Sequence, residues 1–443
     1  MLGVVVSRAD SASEAIGEQL LECADWRETT DPDRPDGEGG GTVCRLPDAE
    51  LRTFDGLHLF LDDLDEAFSA EVDLIAVASR HSGETGPLLT AHHTGNFGAA
   101  DYGGEPDALA RAAPAALSRV REAFERYAPE RYGVGLECTH HGPTALDTPS
   151  LFVELGSGEQ EWTDPEGARA VARAILALRG TEPDTDRALV GFGGGHYVPR
   201  FERVVRETGW SVGHVAADWG LDAMGDPREH RDLLERAFER SGAEHALLDP
   251  RDGSYDDLRA VVEELGYRLV SETWLREADG VDLELVERLE DTLGSVEDGL
   301  RFGGRADAGA FEAVTLPEEL LAAANGVDRE RALAAVRERA VAVTTEEGAS
   351  LLAREAAAVP VERGALVEAL ADVLGEEYDS VERVDGAVLA EERAFSPALA
   401  REHGVEEGPA FGRLAGGQPV EVEGRTVAPE EVHERRRHRF PVE

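Results

Sequence analysis

Short apolar runs alternate with amphipathic stretches from residue 1 to about residue 275. The runs predict strands at Leu2–Ser7, Leu57–Leu61, Leu74–Ser79, Val134–Thr139, Leu151–Leu155, Ala188–Phe192, Val212–Ala216 and Ala246–Asp249. Apolar positions at helical spacing predict helices at Ser13–Cys23, Pro106–Tyr127, Pro165–Leu178, Pro199–Glu207, Pro227–Arg240 and Tyr255–Leu265. The helix with the sharpest ends has Asp164 as N-cap, Pro165 in its first position and Gly180 beyond its last turn. Such alternation predicts an α/β fold, a mainly parallel sheet with flanking helices. The acidic stretch Thr29–Gly41 reads as a surface loop.

Beyond about residue 280 the pattern changes. Val281–Leu293, Pro317–Ala323, Arg329–Val341 and Val361–Leu374 read as helices rich in Ala, Glu, Leu and Arg, and Gly408–Val427 alternates like short strands. The predicted division is a catalytic α/β domain over 1–275 and a C-terminal extension over 276–443, helical over 281–375 with short β segments over 376–443. A chain of 443 residues is consistent with two or three domains.

Composition adds one strong fact. The formal charge is −47 and all 44 basic residues are arginine, yet 42% of residues are hydrophobic, enough for a core. The acid is spread along the whole chain rather than gathered in a tail, which points to adaptation to high salt. At molar salt the Debye length is about 3 Å, so surface carboxylates hardly repel one another. Charge therefore says little about the partner. Phosphate contacts weaken as salt rises, so nucleic-acid recognition in such a chain would lean on shape, hydrogen bonds and stacking. Three cysteines, Cys23, Cys44 and Cys138, make no disulfide framework. The opening MLGVVVSRAD reads as a strand rather than a signal peptide, and no apolar run nears the roughly 20 residues of a membrane span. A cytoplasmic location without membrane or DNA partners is expected, with a monomer favoured.

Seven of the thirteen histidines fall between His81 and His214, each in a glycine-punctuated segment after a predicted strand. Imidazole suits metal binding and proton transfer near neutral pH, and open α/β sheets build sites at strand ends. A converging, metal-dependent site is expected. In LECTHHGP (136–143), a persisting strand would place Glu137, Thr139 and His141 on one face and Cys138 and His140 on the other. Glu137 with a histidine three or four residues on is a ligand-and-base set; a buried Glu–His pair that closes the strand is the structural alternative. By the same parity only one of His92 and His93 faces the site. GFGGGHYVPRF (191–201) follows a strand, and the N–H groups of Gly193, Gly194 and Gly195, with Arg200, are candidates to hold an anion or oxyanion. It is no dinucleotide motif, since His196 stands where the third glycine belongs. His214, with Asp218 four residues on, is a ligand, an orienting partner or a core histidine. Cys138 reads as a buried structural thiol. ERRRHRF (434–440), the densest basic run, is either an RNA contact or a solvated tail.

HSGETGPLLTAHHTGN (81–96), ECTHHGP (137–143), FVELGSGEQEW (152–162), GGGHYVPRF (193–201) and the following Gly213-His214 together resemble the archaeal and plant type of D-aminoacyl-tRNA deacylase. The likeness covers roughly residues 1–275. It implies a phosphorylase/hydrolase-like α/β core, Zn2+ as cofactor, and hydrolysis of the ester between a D-amino acid and the 3′ end of tRNA. The family's histidine positions fall on His81, His92, His140, His141, His196 and His214, beside Glu137. The resulting assignment is His81, His92, His140 and His214 as metal ligands, Glu137, His141 and His196 as catalytic groups, and Gly193, Gly194, Gly195 and Arg200 as substrate contacts. Two rival readings stay open: another metal-dependent amidohydrolase or peptidyl-tRNA hydrolase-like enzyme, and a non-catalytic RNA-binding module.

Overall fold

In a computed structural model, which describes residues 1–251 and 255–442, the chain forms two compact units, Met1–Asp279 and Gly280–Glu443. The first holds strands β1 (Leu2–Ser7), β2 (Arg27–Asp31), β3 (Gly41–Leu46), β4 (Ala49–Phe54), β5 (Leu74–Arg80), β6 (Leu88–His92), β7 (Gly95–Asn96), β8 (Ala108–Leu109), β9 (Gly133–Leu136) and β10 (Ser150–Gly156). It continues with β11 (Ala188–Gly193), β12 (Ser211–Ala216), β13 (His245–Asp249) and β14 (Arg268–Val270). Eight of these make one sheet in the order β2-β3-β4-β1-β5-β10-β6-β9, and four make another in the order β12-β11-β13-β14. The second sheet is wholly parallel. The first is mixed: β1 runs parallel to β4 and β5, but β10 and β6 are antiparallel. The expected mainly parallel sheet is thus two sheets, the larger of them mixed.

Local chemistry explains the elements. LGVVVS in β1 and SLFVELG in β10 are buried along their whole length, as central strands covered on both faces must be. The helix Ser11–Cys23 starts where the Asp10 carboxylate accepts from the N–H groups of Ala12 and Ser13. The helix Pro165–Leu176 starts at Asp164, which accepts from Glu166 N and Gly167 N. Asp164 also accepts from the Tyr132 hydroxyl at 2.7 Å.

Four local expectations need correction. Leu57–Leu61 is no strand: His58–Phe60 is a single 3-10 turn that swings the His58 ring into the interior. Arg27–Asp31, partly inside the expected acidic loop, is edge strand β2, paired only with β3; an edge facing water carries no apolar signal. Residues 281–375 are not purely helical. The helices Leu283–Leu293, Glu318–Arg339 (two segments broken at the non-helical Asp328) and Arg363–Leu374 are joined by β15 (Leu300–Phe302), β16 (Glu312–Thr315), β17 (Ala342–Glu346) and β18 (Leu351–Ala358), an antiparallel sheet in the order β15-β17-β18-β16. Alanine's helix propensity is a weak prior that burial overrides, and Ala356, Ala357 and Ala358 of β18 are fully buried. The rest of the second unit contains β19 (Ser380–Val384), β20 (Ala387–Phe395), the hairpin β21 (Val420–Val422) and β22 (Arg425–Val427), and β23 (His433–Pro441). Within Gly408–Val427, Pro409–Ala415 is a helix rather than a strand. No helix among the described residues is long and apolar enough to cross a membrane.

Candidate active site

One face of the mixed sheet forms the floor. Phe152 on β10 lies opposite His92 on β6. Glu154, two residues on and so on the same face, lies between Ser79 on β5 and Thr90 on β6. All five side chains are buried. The Ser79 hydroxyl donates to Glu154 Oε1 at 2.8 Å, and His58 Nε2 lies 2.9 Å from Ser79 Oγ. Burial pushes the His58 pKa down to about 4, so its ring is neutral at pH 7. The Phe152 ring packs against His58, His92 and His141 with centroids 5.0 to 5.6 Å away.

The opposite wall is the segment after β9. The strand stops at Leu136 because the next N–H groups find partners on both sheets. Glu137 N donates to Ala91 O, Cys138 N to His196 O at 2.8 Å, and Thr139 N to Val215 O at 2.9 Å. His141 has φ of +44°, a left-handed conformation that costs a non-glycine residue about 1 kcal/mol or more. Alternation therefore fails here, and Glu137, His140 and His141 all line one cavity of about 590 Å³ with His81, Glu154 and His196.

Glu137 sits at the junction of the wall and the floor. His196 Nε2 lies 2.7 Å from its Oε2, and His81 Nδ1 lies 2.9 Å from its Oε1. Burial opposes its ionisation, but hydrogen bonds from His196 and His81 and the charge of His92 hold its pKa well below the usual carboxylate range. Glu154 is likewise depressed: burial raises its pKa, but its contacts with His81 and with the His92 ring, 3.5 Å away, outweigh that. Burial disfavours a charged His81, yet its contacts with both carboxylates hold its pKa up to about 10. A protonated His81 thus bridges two buried carboxylates.

The residues fit a metal. His92, His140 and His141 each offer one ring nitrogen, all within 4.8 Å of one another. In each ring Nδ1 lies against a backbone carbonyl: His93 O at 3.0 Å, Cys138 O at 2.9 Å and Gly142 O at 2.7 Å. A carbonyl only accepts, so each Nδ1 carries its proton. His140 and His141 keep a lone pair on Nε2, the arrangement metal-binding histidines use. At His92 burial is outweighed by Glu154, which holds its pKa up, so a metal there would displace the Nε2 proton. His92 Nε2 is buried without a hydrogen-bond partner; the nearest carboxylate oxygen, Glu154 Oε1, is 3.5 Å away. Burial and neighbouring positive charge push His140 down to about 3 and lower His141, which keeps both rings in the neutral ligating form. Two further groups, Cys138–His140–His196 and His81–Glu137–Glu154, also bring ligand atoms this close.

Several expected site residues lie elsewhere. His214 is fully buried, with Nδ1 3.1 Å from Thr139 Oγ1 and Nε2 2.8 Å from Ala110 O, so neither nitrogen is available to a metal. His93 faces away from His92, its Nδ1 donating to Gly213 O, as strand parity requires. Arg200 turns from the cavity to bond Glu272 Oε1 at 2.7 Å and Leu248 O at 3.0 Å. The triple glycine is tight for a structural reason. Cβ atoms at Gly193 and Gly194, both at positive φ, would meet Asp249 at 2.4 and 2.7 Å, and the Gly194 N–H is taken by Asp218 Oδ1. None of Gly193, Gly194 and Gly195 lines the cavity. His141 belongs with His92 and His140 rather than beside Glu137. Glu154, Ser79 and His58 were missing from the expected set. The available signal was Glu154 itself, a carboxylate inside the otherwise apolar run LFVELG, where burial demands a partner.

A mixed α/β unit with buried imidazoles and carboxylates converging at strand ends has the makings of a hydrolytic centre. A family model described as D-aminoacyl-tRNA deacylase matches residues 68–270. A protein of that name from Natronomonas pharaonis is 56% identical over 99% of this chain and 100% of its own length. One from Haloarcula marismortui is 48% identical over the full length of both, and one from Methanococcoides burtonii is 32% identical over 98% of this chain and 94% of its own. The chain belongs to the D-aminoacyl-tRNA deacylase family. The crystal structure of a conserved protein of unknown function superposes with a TM-score of 0.55 and 29% identity, covering 63% of this chain and 98% of that one.

Proposed function

We propose that this protein hydrolyses the ester joining a D-amino acid to the 3′ end of tRNA, releasing the free amino acid and tRNA. Family membership supports the substrate class. The observation that carries the chemistry is the Glu137 carboxylate, buried and ionised between His81 and His196 at the floor of a cavity large enough for an aminoacyl-adenosine end. The two-sheet core is compatible with the phosphorylase/hydrolase-like fold that the sequence resemblance implies.

Glu137, ionised at neutral pH, accepts the proton of the attacking water. His196, in contact with Glu137 and a third exposed at the cavity, delivers a proton to the departing ribose oxygen. His81 holds Glu137 and Glu154 apart in fixed orientation. His92, His140 and His141 would hold Zn2+, which when bound lowers the pKa of water to about 7 and polarises the ester carbonyl. At the cavity mouth the rings of Tyr102, 69% exposed, and Trp219, 49% exposed, offer faces on which the terminal base stacks. Stacking keeps its strength at salt concentrations that weaken phosphate contacts.

Thorough chelation in molar KCl should abolish release of D-tyrosine from D-tyrosyl-tRNA, and Zn2+ should restore it. Full activity in protein shown by elemental analysis to be metal-free would remove the metal from this account.

A further inference from the structure

We propose that the outer face of the β20–β23 ladder in the second unit binds the phosphate backbone of the tRNA substrate. β23 is the edge strand of a sheet ordered β19-β20-β23 and pairs with β20 along its whole length. The register sets Glu391 against Arg437, Arg393 against Arg435 and Leu389 against Arg439. These residues share one face. The other face carries Val388, Ala390 and Phe440 into the core of the unit.

Four arginines therefore stand together on one exposed sheet face, in a chain with 91 carboxylic residues to 44 arginines. Of the four, only Arg437 has a carboxylate partner, Glu391, whose Oε1 it contacts at 2.8 Å from Nε. Among the described residues the guanidinium groups of Arg393, Arg435 and Arg439 make no ion pair or hydrogen bond, although most arginines of this unit do. Arg393 and Arg435 are moreover directly opposite one another, a like-charge pair that destabilises a ladder.

Charged residues on an edge strand guard against strand-to-strand aggregation, but that explains only β23. Arg393 lies on β20, in the middle of the sheet. The excess positive charge is accounted for by an anionic partner with repeated acceptors. Guanidinium pairs with phosphate through two parallel hydrogen bonds, and residues two apart on a strand present such groups about 7 Å apart. The choice of RNA rests on the deacylase reading above.

The test compares the full-length protein with an Arg393→Gln/Arg435→Gln/Arg439→Gln variant. Binding of deacylated tRNA is followed by fluorescence anisotropy over a KCl series in which both proteins are folded. The variant should bind at least tenfold more weakly, and the slope of log affinity against log salt should flatten by about two to three, near one for each phosphate no longer held. Hydrolysis of a D-aminoacyl-adenosine ester, which lacks the phosphate backbone, should stay within twofold of the parent. Equal tRNA affinity and an unchanged slope would overturn the proposal. So would a concentration-dependent dimer of the parent that dissolves in the variant while tRNA binding persists, because the face would then join two copies of this chain. If the triple variant does not fold, Arg439→Gln alone is read the same way, with a slope change of about one. Failure of the parent to hydrolyse either ester would refute the deacylase reading without altering the binding result.

Discussion

Glu137 is where the chemistry is most exposed to test. Its carboxylate has an imidazole nitrogen on each oxygen, at 2.9 and 2.7 Å, so Glu137→Gln preserves shape while removing the proposed base. Its kcat should fall by about 10²–10⁴-fold, with circular dichroism and melting close to the parent. A variant that turns over normally would make Glu137 a structural closure of the wall. A second titrating residue acts on stability instead. His245 packs between the rings of Trp210 and Trp274, and burial, with the charges of Arg268 and Arg187, pushes its pKa down from 6.5 to about 4. The unfolded chain therefore protonates first as pH falls. Stability from this ring is full above pH 6.5 and drains until pH reaches about 4, amounting to about 2 kcal/mol by pH 5. His245→Gln should lose less Tm between pH 7 and pH 5 than the parent does. Parallel losses in the two proteins would show that the ring is not buried neutral.

The strand ends decide which residues meet, and here the sequence was only partly legible. The helix at Pro165 starts where its Asp-Pro signal put it, because capping is a local hydrogen-bond requirement. The strands ending near His81, His196 and His214 lie close to their expected positions because buried apolar runs announce them. The fate of LECTHHGP was not legible. Its N–H groups bond across two sheets, and no alternation pattern encodes that. His214 was misplaced for a related reason: a histidine in a buried strand looks the same in sequence whether its nitrogens meet a cavity or Thr139 and Ala110 O. Close packing at the end of β10 gives a further test. A Cβ at Gly156 would lie 2.6 Å from His81 Cβ and 2.8 Å from His81 O, so Gly156→Ala must move His81 off Glu137. Its kcat should drop at least tenfold, with a stability cost of about 1–3 kcal/mol. Gly135 on β9 has nothing within 4 Å of such an atom, so Gly135→Ala should leave the rate unchanged. Equal behaviour of the two variants would deny His81 its positioning role.

Over the whole chain, composition spoke about environment more than about chemistry. The charge is −47 without a single lysine, and relatives from Natronomonas, Haloarcula and Halorubrum align along almost the full length of the chain. The clustered histidines pointed to a metal-assisted hydrolase, but the residues themselves do not encode the chirality of the substrate; that comes from the family. Chirality is therefore the property to measure. The protein, in molar KCl, should be incubated with matched D-tyrosyl-tRNA and L-tyrosyl-tRNA and the release of each amino acid followed. Release of D-tyrosine at an enzymatic rate, with the L ester decaying no faster than it does without protein, is the predicted result. Equal rates on both esters would contradict the account, leaving a hydrolase without a role in removing D-amino acids from tRNA.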